Sequence, residues 1–274
     1  MIATTCRESR SGGARAARGN AVAVASILLA CLALGAAGAV AGQSEAPLPK
    51  AESLLDAFVE KAGGPAVYEK IANRRTKADL KMSIMPFPGE VTSTVTKAGP
   101  FRVVVETKAV GRIEYGSDGR VVWEINPVTG PRILAGSEAQ RYRLLYSLDP
   151  LMRWREVYKK VECTGSATVA DRLAFKVLAV SRDDYPVTYY FDQASGLLAK
   201  IEYPMETLAG PGLQQVFLSD YRTVEGALFP YLQVRKEAGR EMTLTFSSVE
   251  FNVDVPADLL TLPEAIRTLA RGGK

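Results

Sequence analysis

The chain has 274 residues, 47% of them hydrophobic and 23% charged, which is the composition of an ordinary globular protein. It contains no histidine, which excludes Ser-His-Asp and Cys-His nucleophiles, histidine-ligated zinc and the usual general base near neutral pH. Four of the 34 basic residues and one of the 30 acidic residues precede residue 42, so the rest of the chain has a net charge of +1. Such a small positive charge does not indicate a nucleic-acid-binding protein.

The N-terminal segment has the three parts of a secretory signal peptide. Residues 1–20 contain four arginines and one acid, and residues 21–41 are almost wholly apolar, AVAVASILLACLALGAAGAVA. The apolar run ends in Ala-Val-Ala, so a signal peptide over 1–41 is predicted, with cleavage between Ala41 and Gly42. Two alternatives use the same residues: an uncleaved membrane anchor, or a lipoprotein acylated at Cys31 within the sequence LLAC. A cleaved signal peptide predicts a periplasmic or secreted protein, and the two alternatives predict an exported, membrane-anchored one.

A polar linker over 42–50 is followed by one predicted domain over 51–274. The domain begins with an amphipathic helix predicted over Ala51–Ala62, which the Gly63-Gly64 pair ends. The apolar stripe of this helix consists of Leu54, Leu55, Phe58 and Val59.

A second helical stretch interrupts the strands that follow. The sequence SEAQRYRLLY predicts a helix over Ser137–Tyr146, with Ser at the N-cap and Glu138 in the first turn. This insertion is basic: a solvated face explains the charges, and contact with anionic lipid headgroups is the alternative. The basic residues are Arg141, Arg143, Arg153, Arg155, Lys159 and Lys160.

The rest of the domain alternates apolar and polar residues between turn signals. VTYYFDQASGLLAKIEYP, FLSDYRTVEGALFPYLQVRK and EMTLTFSSVEFNVDVP, all after residue 185, are typical of an antiparallel meander with one buried face. In the last block the apolar phase changes from even positions such as Leu244 to odd positions such as Val249. A β-bulge at Ser247-Ser248, which would bend the strand, is therefore predicted.

The sequences of these blocks resemble those of a known superfamily. YYFDQASGLLAKIEY, SDYRTVEGALFPYLQV and LTFSSVEFNVDVPADLLTLP are similar to sequences of the LolA/LolB-like periplasmic lipoprotein carriers, which include outer-membrane lipoprotein-sorting proteins. The resemblance implies an α+β, mostly antiparallel fold: a curved, unclosed half-barrel of roughly 10–11 strands whose concave apolar face holds acyl chains. It also implies that the N-terminal helix and the helical insertion cover the concave face.

The chemistry of known catalytic motifs is missing from the sequence. There is no GxSxG, HExxH, P-loop or dinucleotide fingerprint, and the only adjacent carboxylate pair after residue 41 is Asp183-Asp184, in a predicted exposed turn. Cys163 is the only cysteine after residue 41, so no internal disulfide and no cysteine metal cluster is expected. We therefore predict no catalytic residue, no metal and no cofactor.

The sequence predicts an exported, non-enzymatic carrier that binds lipid acyl chains or a lipoprotein in an apolar cavity. A cell-envelope scaffold with a dry core and an exported carboxylate hydrolase are the alternatives, and Trp123 fits a core position as well as a ligand-facing one. The protein is expected to be a monomer that touches a membrane surface transiently and binds no nucleic acid. The candidate cavity residues are Leu80, Met82, Ile84, Val103, Val105, Trp123, Ile125, Tyr189, Phe191, Ile201, Tyr203 and Phe217.

Overall fold

The computed structural model describes residues 47–207 and 210–272. The predicted signal peptide, its cleavage site at Ala41-Gly42 and the alternative lipidation site Cys31 lie outside the described residues. The described part contains thirteen β-strands. They are β1 (Asn73–Met82), β2 (Met85–Thr96), β3 (Phe101–Thr107), β4 (Gly111–Ser117), β5 (Val122–Asn126), β6 (Gly130–Leu134), β7 (Tyr158–Val169), β8 (Arg172–Ser181), β9 (Pro186–Asp192), β10 (Leu198–Thr207), β11 (Gly210–Val224), β12 (Ala227–Glu237) and β13 (Arg240–Phe251).

All thirteen strands belong to one antiparallel sheet in the order β6-β5-β4-β3-β2-β1-β13-β12-β11-β10-β9-β8-β7. Two meanders, β1–β6 and β7–β13, are joined where the first strand pairs with the last. Strands β6 and β7 are the two edges, and no ladder joins them within the described residues. The sheet is thus an unclosed half-barrel, which confirms the predicted fold class.

The number of strands exceeds the expected 10–11. The clearest omission is β6, a five-residue strand with the sequence GPRIL. It contains Pro131 and lies at the sheet edge, where a residue without a backbone N–H is tolerated but the strand pattern is weak.

The predicted bend in the last strand is confirmed. Lys77 of β1 lies opposite Ser248 of β13, but the next residue, Ala78, lies opposite Phe246. Ser247 is therefore the extra residue of a β-bulge. Because the bulge shifts the alternation by one, the apolar residues before and after it lie on the same, concave face.

In the described part of the chain, five α-helices and two short 3-10 helices accompany the sheet. The first predicted helix is confirmed as α1, and the helix predicted in the insertion is confirmed as α3, one residue earlier in the chain than expected. The helices are α1 (Ala51–Lys61), α2 (Pro65–Glu69), α3 (Gly136–Leu145), α4 (Trp154–Val157) and α5 (Glu264–Gly272), and the 3-10 helices are Pro150–Arg153 and Ala257–Leu260. None of the helices in the described ranges is long and apolar enough to cross a membrane.

The main hydrophobic core lies between the concave face and the helices that cover it. Leu55 of α1 is fully buried, and the ring of Phe58 packs 5.5 Å from that of Phe191 on β9. Residues 136–157, which we call the helical insertion, connect the edge strands β6 and β7 and contribute Leu151 and Trp154 to the same core. The insertion therefore spans the open side of the half-barrel.

The C-terminal segment packs on the other side of the sheet. Arg102 of β3 points away from the concave face and donates to the carbonyl of Leu259 at 3.3 Å. Helix α5 packs against β6 and buries Ile266 completely. The convex face is thus covered near β3–β6, which decides where some of the predicted site residues lie.

Candidate ligand-binding cavities

Two neighbouring cavities open in the concave face. The smaller, of about 180 Å³, lies beneath the helical insertion, and we call it the inner cavity. The larger, of about 390 Å³, lies towards the turns at 83–84, 108–110 and 238–239, and we call it the rim cavity. The two share part of their walls, so they are neighbouring parts of one concavity. Their shared wall consists of Thr76, Ser93, Leu145, Tyr146, Arg235 and Phe246.

Alternate residues of β1 and β3 form the apolar wall of the rim cavity. Leu80 and Met82 point inward from β1, as do Val103 and Val105 from β3, because side chains two apart on a strand share a face. The aromatic rings of Tyr115 and Tyr142 stack at 5.2 Å across the same cavity, joining β4 to helix α3. The helix therefore forms the wall opposite the sheet.

Tyrosines and aliphatic residues from β9 and β10 line the inner cavity. Tyr189, Ile201 and Tyr203 point into it. Burial raises the pKa of Tyr189 and of Tyr203 well above the ordinary value of 10.0, so both remain uncharged. The hydroxyl of Tyr189 hydrogen-bonds to that of Tyr158, which satisfies the two groups in an apolar environment. This wall therefore presents neutral rings to a ligand.

A few polar groups cross the inner cavity. Nη1 of Arg74 on β1 lies 3.1 Å from Oδ1 of Asp149 in the insertion. The hydroxyls of Thr76 and Ser93 are 2.7 Å apart on neighbouring strands. Each of these two pairs is formed between groups of the cavity wall itself.

Seven of the twelve predicted residues line a cavity. Leu80, Met82, Val103 and Val105 line the rim cavity, and Tyr189, Ile201 and Tyr203 line the inner one. Binding of a ligand by these side chains stays a prediction.

The other five predicted residues lie elsewhere. Phe191 is buried beneath α1, in contact with Phe58. Ile84 lies in the turn after β1 and is exposed. Trp123 and Ile125 point to the convex face. Val122, the residue before Trp123 on β5, belongs to the concave core, and successive side chains of a strand point to opposite faces. Phe217 also faces away, since its neighbours Val216 and Leu218 point inward.

Trp123 is a core residue of the convex side. Its indole packs against Gly116 of β4, where any side chain would overlap the ring. The guanidinium carbon of Arg102 lies 5.4 Å from the ring centroid. Of the two interpretations that the sequence left open for Trp123, the structure selects the core position.

Several cavity residues were not predicted. Gln214, Arg235 and Glu237 line the rim cavity although they are polar. Alternation assigns polar residues to the wet face, so inward-facing polar residues are invisible to it. The one signal was the alternation of the polar Gln233 and Arg235 with the apolar Leu232 and Val234 on β12.

Four of the six basic residues predicted in and beside the insertion pair with carboxylates, whereas Arg141 and Arg143 have no carboxylate partner among the described side chains. Arg155, for example, donates two hydrogen bonds to Asp56 of α1 at 2.7 and 2.8 Å, and Trp154 Nε1 donates to the same carboxyl at 3.1 Å. These hydrogen bonds fasten the insertion to the N-terminal helix. The other pairs are Arg153–Glu156, Lys159–Asp184 and Lys160–Glu162.

The remaining candidates for chemistry are isolated. Asp184 is an exposed turn residue bound to Lys159. Cys163 is a free, half-buried thiol whose Sγ lies 4.0 Å from the carbonyl of Gly165. No group of three or more His, Cys, Asp or Glu residues suited to a metal ion occurs in the described part of the chain.

Comparison with known proteins gives a structural likeness. No protein-family model matches this chain, and no curated protein matches it. A LolA superfamily protein from Nitrosomonas europaea superposes with a TM-score of 0.52 and 15% identity, over 78% of this chain and 99% of that one. A DUF1329 family protein from Desulfovibrio piger superposes with a TM-score of 0.51 and 10% identity, over 77% of this chain and 99% of that one. At these identities the likeness shows the fold alone: the chain has a LolA/LolB-like fold, as the sequence resemblance implied.

Proposed function

We propose that this protein is an exported, non-enzymatic carrier that holds the acyl chains of a lipid or lipoprotein in its concave cavities. The observation that carries the proposal is the pair of adjoining cavities between the sheet and the helical insertion. The rim cavity, of about 390 Å³, falls within the range of small-molecule sites. Each methylene group buried there contributes about 0.8 kcal/mol, so an acyl chain is retained without directional contacts.

The helical insertion is the proposed cover of the ligand. Leu144, Leu145 and Met152 of the insertion line the inner cavity. The insertion is held by its buried apolar residues, by the Arg74–Asp149 pair to the sheet and by the Arg155–Asp56 pair to α1. Release of a ligand requires this cover to move, and a movement of the insertion costs less than opening a ladder of backbone hydrogen bonds.

The proposed contact with a membrane is at the rim. Exposed apolar side chains occur at this end of the sheet, at Ile84 and Phe87 beside the turn after β1 and at Val128 in the turn after β5. Ser83 and Glu241 are hydrogen-bonded to each other, which places the first of these turns directly beside the mouth of the rim cavity. A monomer exported through the N-terminal segment would take up or deliver lipid there.

The test is lipid extraction and mass spectrometry on protein recovered from an exported preparation, together with uptake of a fluorescent fatty acid. We expect stoichiometric lipid in the natural protein. Val103→Trp, which fills the rim cavity, should lower both lipid content and uptake. Val104→Trp, on the opposite face of β3, is the matched control and should leave them unchanged.

A different result would favour the scaffold function. If the protein is free of lipid and takes up no fatty acid, the cavities are not a lipid site and the carrier function is wrong. The curved sheet would then serve a protein partner.

A further inference from the structure

Three arginines line the rim cavity without a carboxylate partner. They are Arg235 of β12, Arg240 of β13 and Arg141 of α3. None of them forms an ion pair with a carboxylate whose side chain the structure describes, which within residues 47–207 and 210–272 leaves out Glu206. A guanidinium group is charged at every physiological pH, so the cavity holds unneutralised positive charge.

Arg235 lies over an apolar floor. Its cross-strand neighbours are Val216 on β11 and Met242 on β13. Its Nε is buried and has no hydrogen-bond partner among the described residues, and its Nη2 reaches only Gln233 Oε1, at 3.5 Å. A buried N–H group without an acceptor is costly, and an anion in the cavity would remove that cost.

Gln214 supplies a second unsatisfied group. Its side chain lines the same cavity, and the residue is only 8% exposed. Nε2 donates to Glu237 Oε2 at 3.0 Å, whereas the buried Oε1 accepts no hydrogen bond from the part of the chain that the structure describes. This oxygen is suited to a donor that a ligand would bring.

Two carboxylates also line the cavity. Glu241 pairs with Lys236 at 3.1 Å, whereas Glu237 accepts a hydrogen bond from the neutral Gln214 and lies opposite Arg240 in the β12–β13 ladder. The three arginines therefore outnumber the two carboxylates that line the cavity. A ligand that complements this excess of positive charge is an anion.

Arg141 approaches from the side opposite to Arg235. It belongs to helix α3, where Nη1 lies 3.9 Å from Met205 Sδ and the guanidinium lies 5.1 Å from the ring centroid of Tyr142. These are weak partners for a charged group. Both arginines line the rim cavity, Arg235 from the sheet and Arg141 from the helix.

We propose that the rim cavity binds an amphiphile with one anionic headgroup, whose acyl chain lies against Leu80, Val103 and Val105. Arg235 and Arg141 hold the anion, and Gln214 Oε1 accepts a hydrogen bond from a hydroxyl or N–H group beside it. The inference rests on the proposed acyl-chain binding and adds the chemistry of the headgroup. A fatty acid carboxylate and the phosphate of an acidic lipid share this chemistry.

The experiment compares parinaric acid with its methyl ester, two fluorescent probes with the same chain, at a pH where the acid is ionised. We expect the natural protein to bind the acid more tightly. Arg235→Met and, separately, Arg141→Met should raise the Kd of the acid roughly 10- to 100-fold, as expected for losing a hydrogen bond to a charged group, and leave the Kd of the ester unchanged. Arg222→Met, an exposed arginine of β11 paired with Asp220, is the control that changes neither Kd. Circular dichroism checks that each variant is folded.

The possible results separate the two proposals. If acid and ester bind equally to the natural protein, or if both arginine variants weaken both probes equally, the headgroup site is overturned while acyl-chain binding stands. If neither probe binds, acyl-chain binding fails and the headgroup site fails with it. Displacement of the acid by lysophosphatidylglycerol but not by lysophosphatidylcholine supports the site with phosphate as its natural anion. Displacement by oleate alone supports it with a carboxylate.

Discussion

Arg74 of the first strand and Asp149 of the helical insertion form an ion pair that joins the sheet to the cover of its concave face. The guanidinium Nη1 lies 3.1 Å from Oδ1 and 3.3 Å from Oδ2, and the two side chains are 13% and 23% exposed. The pair lines the inner cavity, and the guanidinium carbon of Arg74 lies 5.0 Å from the ring centroid of Phe229. Since a partly buried pair is less screened than one on the surface, we expect it to hold the insertion closed.

Asp149→Asn should loosen the insertion. Asparagine accepts the left-handed backbone of this residue, where φ is 52°, so the change removes the charge without adding backbone strain. The free energy of unfolding should fall by about 1 to 3 kcal/mol, and amide hydrogen exchange should accelerate over residues 144–152.

Asp184→Asn is the matched control for that variant. Asp184 also has a left-handed backbone, with φ at 64°, and also pairs with a basic strand residue, Lys159. Its side chain is 80% exposed, so the loss should be small. Equal effects of the two substitutions would show that burial of the Arg74 pair contributes nothing.

Gly116→Ala should destabilise the convex side of the sheet. A methyl group at Gly116 overlaps the indole of Trp123, and overpacking of this kind costs about 1 to 3 kcal/mol. Urea denaturation measures the loss, and Gly272→Ala, where no atom lies within 4 Å, is the control. In the double variant with Trp123→Phe the loss should be smaller than the sum of the single losses, because the smaller ring makes room. Strict additivity would contradict the contact.

The carboxylate of Asp192 should make stability depend on pH. Its side chain is 5% exposed, and burial alone would raise its pKa, but hydrogen bonds from Ser195 and the charge of Arg172 hold the pKa below the ordinary 3.8. Because the folded pKa is the lower one, this carboxylate stabilises the fold above pH 3.8, and the contribution is lost as the pH falls through the folded pKa.

Asp192→Asn should therefore cost about 1.5 to 3 kcal/mol at neutral pH, and less in acid. Denaturant unfolding of the natural protein and the variant, from neutral pH into acid, measures the difference in their free energies of unfolding. The exposed Asp220 also has a lowered pKa, because of its hydrogen bond to Arg222, and Asp220→Asn is the control that should show little difference. If the difference in unfolding free energy between the natural protein and Asp192→Asn stays constant into acid, the lowered pKa of Asp192 is wrong.

The rim should bind lipid surfaces through its exposed apolar side chains. Phe87→Ser and Val128→Ser should each reduce co-sedimentation with vesicles of phosphatidylcholine and phosphatidylglycerol. Leu173→Ser is the control, because Leu173 is similarly exposed but lies at the turn between β7 and β8, at the opposite end of the sheet. If all three variants bind vesicles equally well, membrane contact is not made at the rim.

The residue pattern alone was sufficient for the local elements of this fold. The stripe of α1, the alternation of most strands and the phase change at Ser247 follow from periodicities of a helix and a strand, which depend on neighbours in sequence. The same pattern identified the inward residues of β1, β3, β9 and β10. It failed at β6, where a short edge strand with Pro131 has little periodicity to detect.

The site itself required the tertiary structure. Alternation separates two faces of a strand but does not say which is concave, so Trp123 and Phe217 were placed in the cavity although they point outward. Polar residues that point inward, such as Arg235 and Gln214, contradict the pattern on which the prediction depends. Whether the concave face is filled or open is decided by the volumes of side chains brought together from β1, β12 and the insertion. These are far apart in sequence, so the cavities and their unpaired charge exist only once the chain is folded.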